Sequence, residues 1–353
     1  MNKAHLPRAA VTLVTGAAGG GVFYLLHLPL PWMLGALVTT MAVTLAGAPL
    51  EIHPTFRQYL IAAIGVMIGG TFSPDLFAQA QQWIPSLISV LFYLFVVVVV
   101  SLYYCQWVLK MDRRTAIFSS LPGGLSEMIL LGEQLGADVR ALTLTHAVRV
   151  AAVLIAIPLF LTYGVGLDPP LPTAAPTTWG AGDIALLILF GVIGFNVGKA
   201  AHFPAHMLTG PMVVSAAAHL AGLIETEPPA IATIITQATM GSALGARFFG
   251  VSVRTVGKLM LGAVSLAFVM MGLTLLFAWG LSALTGLSFA ALMLALAPGG
   301  FADIALASLS LNVDPAFVAS HHGLRLVIVV FLVPWGVSWW LRRTDKKRNT
   351  PPS

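Results

Sequence analysis

Two short stretches of the chain hold the residue types that could do chemistry, and they hold them at the same spacing. Pro122-Gly123-Gly124 is followed by Glu127, Asp138, His146 and Arg149; Pro298-Gly299-Gly300 is followed by Asp303, Asp314, His322 and Arg325. Proline lacks an N–H donor and paired glycines lose helix preference, so each Pro-Gly-Gly leaves backbone amides and carbonyls open. A helix starting just after such a break would aim its positive end at an anion. The plainer alternative is a tight turn at a hairpin tip with no ligand. Glu127 and Asp303 fall in the first turn of the following helix, where a carboxylate either complements the helix dipole or binds a coupling proton or cation. His146 with Arg149, and His322 with Arg325, are spaced i,i+3 and share a helix face. Each arginine either pairs with its neighbouring acid, locking hairpin to helix, or holds a substrate carboxylate in a bidentate fork. Each histidine is a proton carrier or a satisfied buried ring. The candidate substrate-binding set is therefore Pro122, Gly123, Gly124, Glu127, His146, Arg149, Pro298, Gly299, Gly300, Asp303, His322 and Arg325.

The elements that position them must lie in lipid. Of 353 residues, 58% are apolar and 9% charged, against roughly 25% charged in a soluble domain. A chain this apolar cannot cover a folded surface with water-compatible groups. The net charge of +5 sits in short loops and at the chain ends, as membrane topology signals do, so nucleic acid is not an expected partner. A single cysteine, Cys105, permits no internal disulfide and no Cys-based metal site. His53, His202, His206 and His219 are scattered over loops and spans, so no metal, no cofactor and no enzymatic activity is expected. The N-terminal stretch starts basic, but its apolar part is glycine-rich and lacks a cleavage site, so it reads as a retained first span.

The chain repeats itself. His27-Leu-Pro-Leu-Pro-Trp-Met-Leu-Gly35 lies over His202-Phe-Pro-Ala-His-Met-Leu-Thr-Gly210, and Gly65, Gly69 and Phe72 lie over Gly241, Gly245 and Phe248. Apolar runs of membrane-crossing length fall near 9–26, 31–48, 57–72, 84–108 and 141–163, and again near 182–200, 204–222, 230–246, 259–281 and 317–340. The segment before the last span of each half is only patchily apolar and is broken by Pro-Gly-Gly. If it turns back rather than crosses, all Lys and Arg except Arg149 and Arg325 fall on the cytoplasmic side, as the positive-inside rule asks. The expected fold is therefore all-α and integral to the membrane: about ten spans in two repeats of opposite orientation, each with a re-entrant segment. The first repeat occupies 1–166, an extracytoplasmic linker 167–181, the second repeat 182–341 and a frayed cytoplasmic tail 342–353. Both termini are cytoplasmic, in a bacterial inner membrane. Asp138 and Asp314 read as N-caps of the last spans, Gly65-x-x-x-Gly69 and Gly241-x-x-x-Gly245 as close helix contacts. Asn196, Gln237, Thr236 and Thr239 are polar residues inside spans that could line a pathway.

The PWMLGAL stretch near the start, LPGGLSEM and APGGFADIA in the breaks and the paired His-x-x-Arg resemble the AbrB-type family of duplicated integral membrane proteins, over nearly the whole chain. Some members of that family carry an ammonia-monooxygenase label and one branch is linked to regulation of gene expression; no residues here supply an oxygenase ligand cluster or a soluble DNA-binding module. The plan also resembles that of glutamate and citrate carriers, with five spans and a glycine-rich re-entrant segment per half. Inverted repeats with open backbone at membrane depth suit a secondary transporter, here of a small solute, most simply an organic anion, coupled to protons or sodium. The alternative is a membrane-embedded regulator of gene expression acting through a partner. The expected partners are a small anionic substrate, the lipid bilayer and, in a homodimer, a second copy of the chain.

Overall fold

A computed structural model describes residues 5–74, 76, 80–123, 125–168, 181–224, 230–251 and 253–348. Among the described residues there are fourteen α-helices and no strand. The first seven are α1 (His5–Leu25), α2 (Pro31–Leu45), α3 (Pro54–Gly69), α4 (Ile84–Tyr103), α5 (Arg113–Ser120), α6 (Leu125–Gln134) and α7 (Val139–Leu159). The same order recurs in α8 (Ala181–Ala200), α9 (His206–Leu220), α10 (Ala230–Gly245), α11 (Val253–Thr285), α12 (Phe289–Leu296), α13 (Phe301–Ser310) and α14 (Pro315–Arg348).

The turns match as closely as the helices. His27 and Leu30 adopt positive φ before α2, and His202 and Ala205 do so before α9. Non-glycine residues visit that region only at a cost, so two such residues at equivalent positions mark the same tight entry into each helix. Lys110 and Gly286, Gly136 and Asn312, and Gly47 and Gly222 form further left-handed pairs at the offset read from the sequence. The expected caps are present. The Asp138 carboxylate accepts from the N–H groups of Arg140 (2.9 Å) and Ala141 (3.0 Å), and that of Asp314 from Phe317 (3.0 Å).

Glycine contacts lace the two halves together. α3 packs on α9 so closely that a Cβ on Gly65 would stand 2.4 Å from the Leu208 carbonyl oxygen, and one on Gly69 2.5 Å from that of Met212. The reciprocal crossing is α10 on α2, where a Cβ on Gly241 would stand 2.3 Å from the Met33 oxygen and one on Gly245 2.7 Å from that of Leu37. Each half thus lends its third helix to the other. Ser215 adds a hydroxyl donated to the Val66 carbonyl at 2.8 Å.

Among the described residues, three helical stretches are long and apolar enough to cross a membrane: Ala80–Val108, Val139–Gly164 and Gly257–Thr285. The other expected spans also carry helices, but α2, α3, α9 and α10 have only 15 or 16 residues. At 1.5 Å per residue these are about 22–24 Å long, short of a hydrocarbon core of about 30 Å.

The first broken segment folds back on itself. Asp138, just past its second arm, donates its N–H to Thr115 Oγ1, near the start of its first arm, at 2.8 Å. The two arms, α5 and α6, are about 12 and 15 Å long. The expected frayed tail is partly corrected: α14 continues through the charged stretch to Arg348, whose arginines and lysines are good helix formers.

Candidate functional site

Each Pro-Gly-Gly sits between two short helices, and its position follows from local chemistry. Ahead of the breaks, Leu121 and Ala297 are extended (ψ 125° and 131°), as a residue preceding proline prefers. That ends α5 and α12 and strands their last carbonyls, since the final four C=O groups of a helix have no internal partner.

Those carbonyls are what the histidines and arginines hold, and the register is the same in both halves. His146 donates Nε2–H to the Phe118 carbonyl (3.1 Å), and His322 to that of Leu294 (2.9 Å). Arg149 Nη1 donates to the Leu121 carbonyl (3.0 Å), and Arg325 Nη1 to that of Ala297. Every partner lies 28 residues upstream of its donor. A guanidinium at a helix C-terminus also meets the negative end of the dipole. Of the two alternatives for the arginines, the lock to the neighbouring acid is not formed in the second half: among the described residues, Arg325 makes no ion pair with Asp303. The Glu127 side chain and Gly124 lie outside the described residues.

The two units differ in completeness. Arg325 Nη2 donates to the Gly299 carbonyl (2.9 Å) and to His322 Nδ1 (3.0 Å). Arg149 leaves Nε without a partner, and His146 leaves Nδ1 without one, although both residues are about 1% exposed. With Nε2 protonated and donating, the bare Nδ1 of a neutral His146 is an acceptor. The second unit is closed upon itself; the first keeps one donor and one acceptor unspent.

Both units meet in one cavity of about 670 Å³. Its walls include Pro122, Gly123, His146 and Arg149 from the first half, with Gly299, Gly300, Asp303, His322 and Arg325 from the second. Pro298 lies outside its lining. Asp303, in the first turn of α13, bends its Oδ2 over Gly300, to 2.4 Å from where a Cβ there would be. The positive end of α13 is thus already met by a carboxylate. The expectation that this helix end faces an anion freely is corrected on that ground. Phe301 stacks on His322 with ring centroids 5.7 Å apart, fixing the imidazole.

Four further ionisable residues that motif reading passed over face the same space: Glu51, Arg57, His206 and Arg247. Arg57 and Arg247 had counted only as topology charges, because each stands at the loop end of a short helix. The signal that could have found them is that shortness, which brings the loop ends of α3 and α10 within reach of the breaks. Among the described residues, neither makes a hydrogen bond or ion pair; the charge of Arg57 opposes that of Arg247, and Asp303 favours it. Of the in-span polar residues, Gln237 instead donates to Ser310 (2.5 Å), Thr236 and Thr239 bond back into their own helix, and Asn196 caps the Val192 carbonyl on an exposed face. None of these four lines the cavity. Among the described residues no three His, Cys, Asp or Glu side chains converge as a metal site would require.

Titration is perturbed at the caps outside the spans. Burial pushes the Asp314 carboxyl up, against the backbone donors of Phe317 and Ala316. At Asp112 burial acts the same way but is outweighed by hydrogen bonds from Thr115 and the Arg114 amide, so its pKa falls.

Residues 32–341 match the family model described as transition state regulatory protein AbrB. The chain belongs to the AbrB family. Among its AbrB relatives, one from Bacillus subtilis, strain 168, named "Uncharacterized protein YhjN", is 27% identical over 348 residues, covering 91% of this chain and 90% of its own. Another from Escherichia coli K12, named "Putative regulator AbrB", is 23% identical over 326 residues, covering 88% of this chain and 90% of its own. The family match spans both Pro-Gly-Gly breaks and both His-x-x-Arg pairs, so the site described above belongs to the matched region.

Proposed function

We propose that this AbrB protein is a secondary transporter of a small organic anion, working by alternating access, and that it performs no covalent chemistry. The observation that carries this reading is the cavity itself. Two breaks and two buried His-x-x-Arg units, one from each half, face a single space lined, among the described residues, by four arginines and two acids. In lipid such open backbone and such charges persist only where they line a watery cavity or are buried in protein.

In this reading the chain forms about ten spans in two inverted repeats within a bacterial inner membrane, with both termini cytoplasmic. The recurrent helix order, the matched left-handed turns and the reciprocal glycine crossings support the repeat. The bond from Asp138 to Thr115 supports a first segment that enters and leaves on one side. The cavity wall includes Leu50, Arg57, Ala205 and Arg247, all on or next to loops that the positive-inside rule puts in the cytoplasm, so the conformation is the inward-open one. The first Pro-Gly-Gly then rises from the cytoplasmic side and the second descends from the other. Proton coupling is favoured over sodium, because the unpartnered acceptor in the site is His146 Nδ1, which can take a proton when an anion arrives.

A regulatory role through a partner is the second reading; the names given to the family and to the E. coli relative favour it. The two readings separate in proteoliposomes. Uptake of labelled organic anions under an imposed proton or sodium gradient supports transport. Absence of uptake for every anion and gradient rejects it.

A further inference from the structure

We infer that a second cavity, between α3 and α8, seats one acyl chain of a membrane phospholipid, with the lipid phosphate at its Thr55 end. The inference rests on the membrane placement proposed above and not on transport. The space measures about 510 Å³. The repeat shows why it exists. By the offsets read from the sequence, α8 and α3 are the counterparts of α1 and α10, and Gly191 and Val66 those of Gly16 and Ser242. At the α1–α10 crossing a Cβ on Gly16 would overlap Ser242 Oγ. At the α8–α3 crossing a Cβ on Gly191 would, among the described residues, meet only Val66 Cγ2, at 3.8 Å. Yet α8 hugs α9 as closely as α1 hugs α2: a Cβ on Gly194 would overlap the Pro211 backbone, and one on Gly19 the Gly35 carbonyl oxygen. Thus α8 keeps its place in the bundle and is parted from α3. An apolar gap left empty forfeits dispersion contacts on both walls, and in a bilayer the chains at hand to fill it are those of lipid.

The shape and polarity of the gap fit that occupant. It follows α3 from Thr55 to Met67, about 18 Å at 1.5 Å per residue. Over that length its volume is that of a channel about 6 Å across, wide enough for an alkyl chain and too narrow for an α-helix of about 10–12 Å diameter. Val66, Met67, Ile188, Val192 and Phe195 make most of its wall apolar, while its polar lining residues, Thr55, Gln58 and Tyr59, fall in the first six residues of α3. The helix α9 runs parallel to α3, with Gly65 at Leu208 and Gly69 at Met212, and antiparallel to α8, with Gly194 at Pro211 and Gly198 at His206. The C-terminal end of α8 therefore lies beside the Thr55 end of α3. There, one turn past Phe195 on the same face, stands the exposed Lys199. A phosphate at this end accepts from hydroxyl, amide and ammonium donors, at the level where a lysine keeps its head in water. The groove also touches the solute site. Stripes at helical spacing turn Arg57 and Ile61 to the arginine-lined cavity and Tyr59, Ala62 and Val66 to this one, and Gln58 lines both. A seated chain thus braces the helix that carries Arg57.

The test uses the full-length protein, purified from the membrane fraction, stripped of lipid in detergent and titrated with dioleoyl phosphatidylglycerol while its unfolding midpoint is followed. Wild type is set beside Gly191→Leu, whose side chain fills the groove, and Gly191→Ala, which brings the same gain in helix preference without the bulk. Lys199→Gln tests the phosphate end. Wild type and Gly191→Ala are expected to rise by several degrees at saturation, as a ligand of the folded state requires. Gly191→Leu should start above stripped wild type and rise by less than half as much, and Lys199→Gln should need about two- to fivefold more lipid, the worth of an exposed charge pair. If Gly191→Leu unfolds below stripped wild type, Val192→Trp carries the test, since it fills the same groove from a position that is 55% exposed. A full rise in the groove-filling variant, or none in wild type, would overturn the lipid site. A filled groove that turns a dimer into a monomer while the lipid response stays whole would overturn it in favour of a second copy of the chain. Flux is measured separately, so failure here leaves the transporter reading standing, and absence of uptake leaves this result standing.

Discussion

The two buried arginines should differ in what they do for stability, and the difference can be worked from their partners. Arg149 and Arg325 occupy equivalent positions on α7 and α14 and are both buried, so truncation to alanine removes the same volume and leaves similar voids. What differs is the polar groups left behind. Arg325→Ala strands the carbonyls of Ala297 and Gly299 and the Nδ1 of His322; at about 1–3 kcal/mol for each unsatisfied buried group, partly offset by second acceptors and water, the cost is about 3–6 kcal/mol. Arg149→Ala strands only the Leu121 carbonyl among the described residues and removes a donor that was itself unsatisfied, so about 1–3 kcal/mol is expected. Thermal or chemical unfolding of the purified variants in one detergent reads the order directly. Arg325→Ala should unfold well before Arg149→Ala, while Arg149→Ala retains most wild-type stability. Equal destabilisation, or the reverse order, would refute the idea that the second unit is a closed structural clasp and the first an open binding one.

Other expectations follow from single contacts. Gly241→Ala places a methyl 2.3 Å from the Met33 carbonyl oxygen and should cost about 1–3 kcal/mol by overpacking, read by unfolding, with Gly65→Ala behaving alike and the open Gly272→Ala not. Thr115→Val removes the acceptor for the Asp138 amide and should lower stability by about 1–3 kcal/mol, read as faster amide exchange at the hairpin base. The raised pKa of Asp314 means the folded state holds that proton more readily than the unfolded chain does. Its charge therefore weighs against the fold at neutral pH, and that penalty fades as pH falls through the raised value toward the ordinary 3.8. Asp314→Asn should gain stability over wild type at pH 7 and lose the advantage near pH 4, as measured by unfolding midpoints across that range. Cysteines at Gln134 and Asn312, both exposed, should label from opposite sides of the membrane, with buried Cys105 giving little background.

Much of this was legible in the residues because chemistry left them little choice. A proline and two glycines must break a helix wherever they fall, so both unwound segments could be placed from sequence, as could the Asp138 and Asp314 caps and the glycine crossings. The partners of the arginines were not legible. Sequence spacing puts Arg325 near Asp303, but it does not weigh the stranded carbonyls of α12, which need a donor more than Asp303 does once that carboxylate has bent over the helix start. Arg57 and Arg247 were missed for a different reason. A charge at a loop end serves topology equally well whether it faces bulk water or a cavity, and only the tertiary arrangement of the short helices distinguishes the two. The asymmetry between His146 and His322 lies beyond sequence altogether, since it separates two chemically identical motifs.

The most direct test of the central claim is counterflow in proteoliposomes. Vesicles loaded with an unlabelled small organic anion are diluted into the same anion carrying label, with wild type and Arg149→Gln reconstituted side by side. The account predicts transient accumulation of label by wild type, stimulated by an inwardly acidic or outwardly acidic gradient according to direction, and little by Arg149→Gln despite its near-normal fold. If wild type accumulates no label with this or any other organic anion, or if Arg149→Gln exchanges as fast as wild type, the cavity is not the transport site proposed for it.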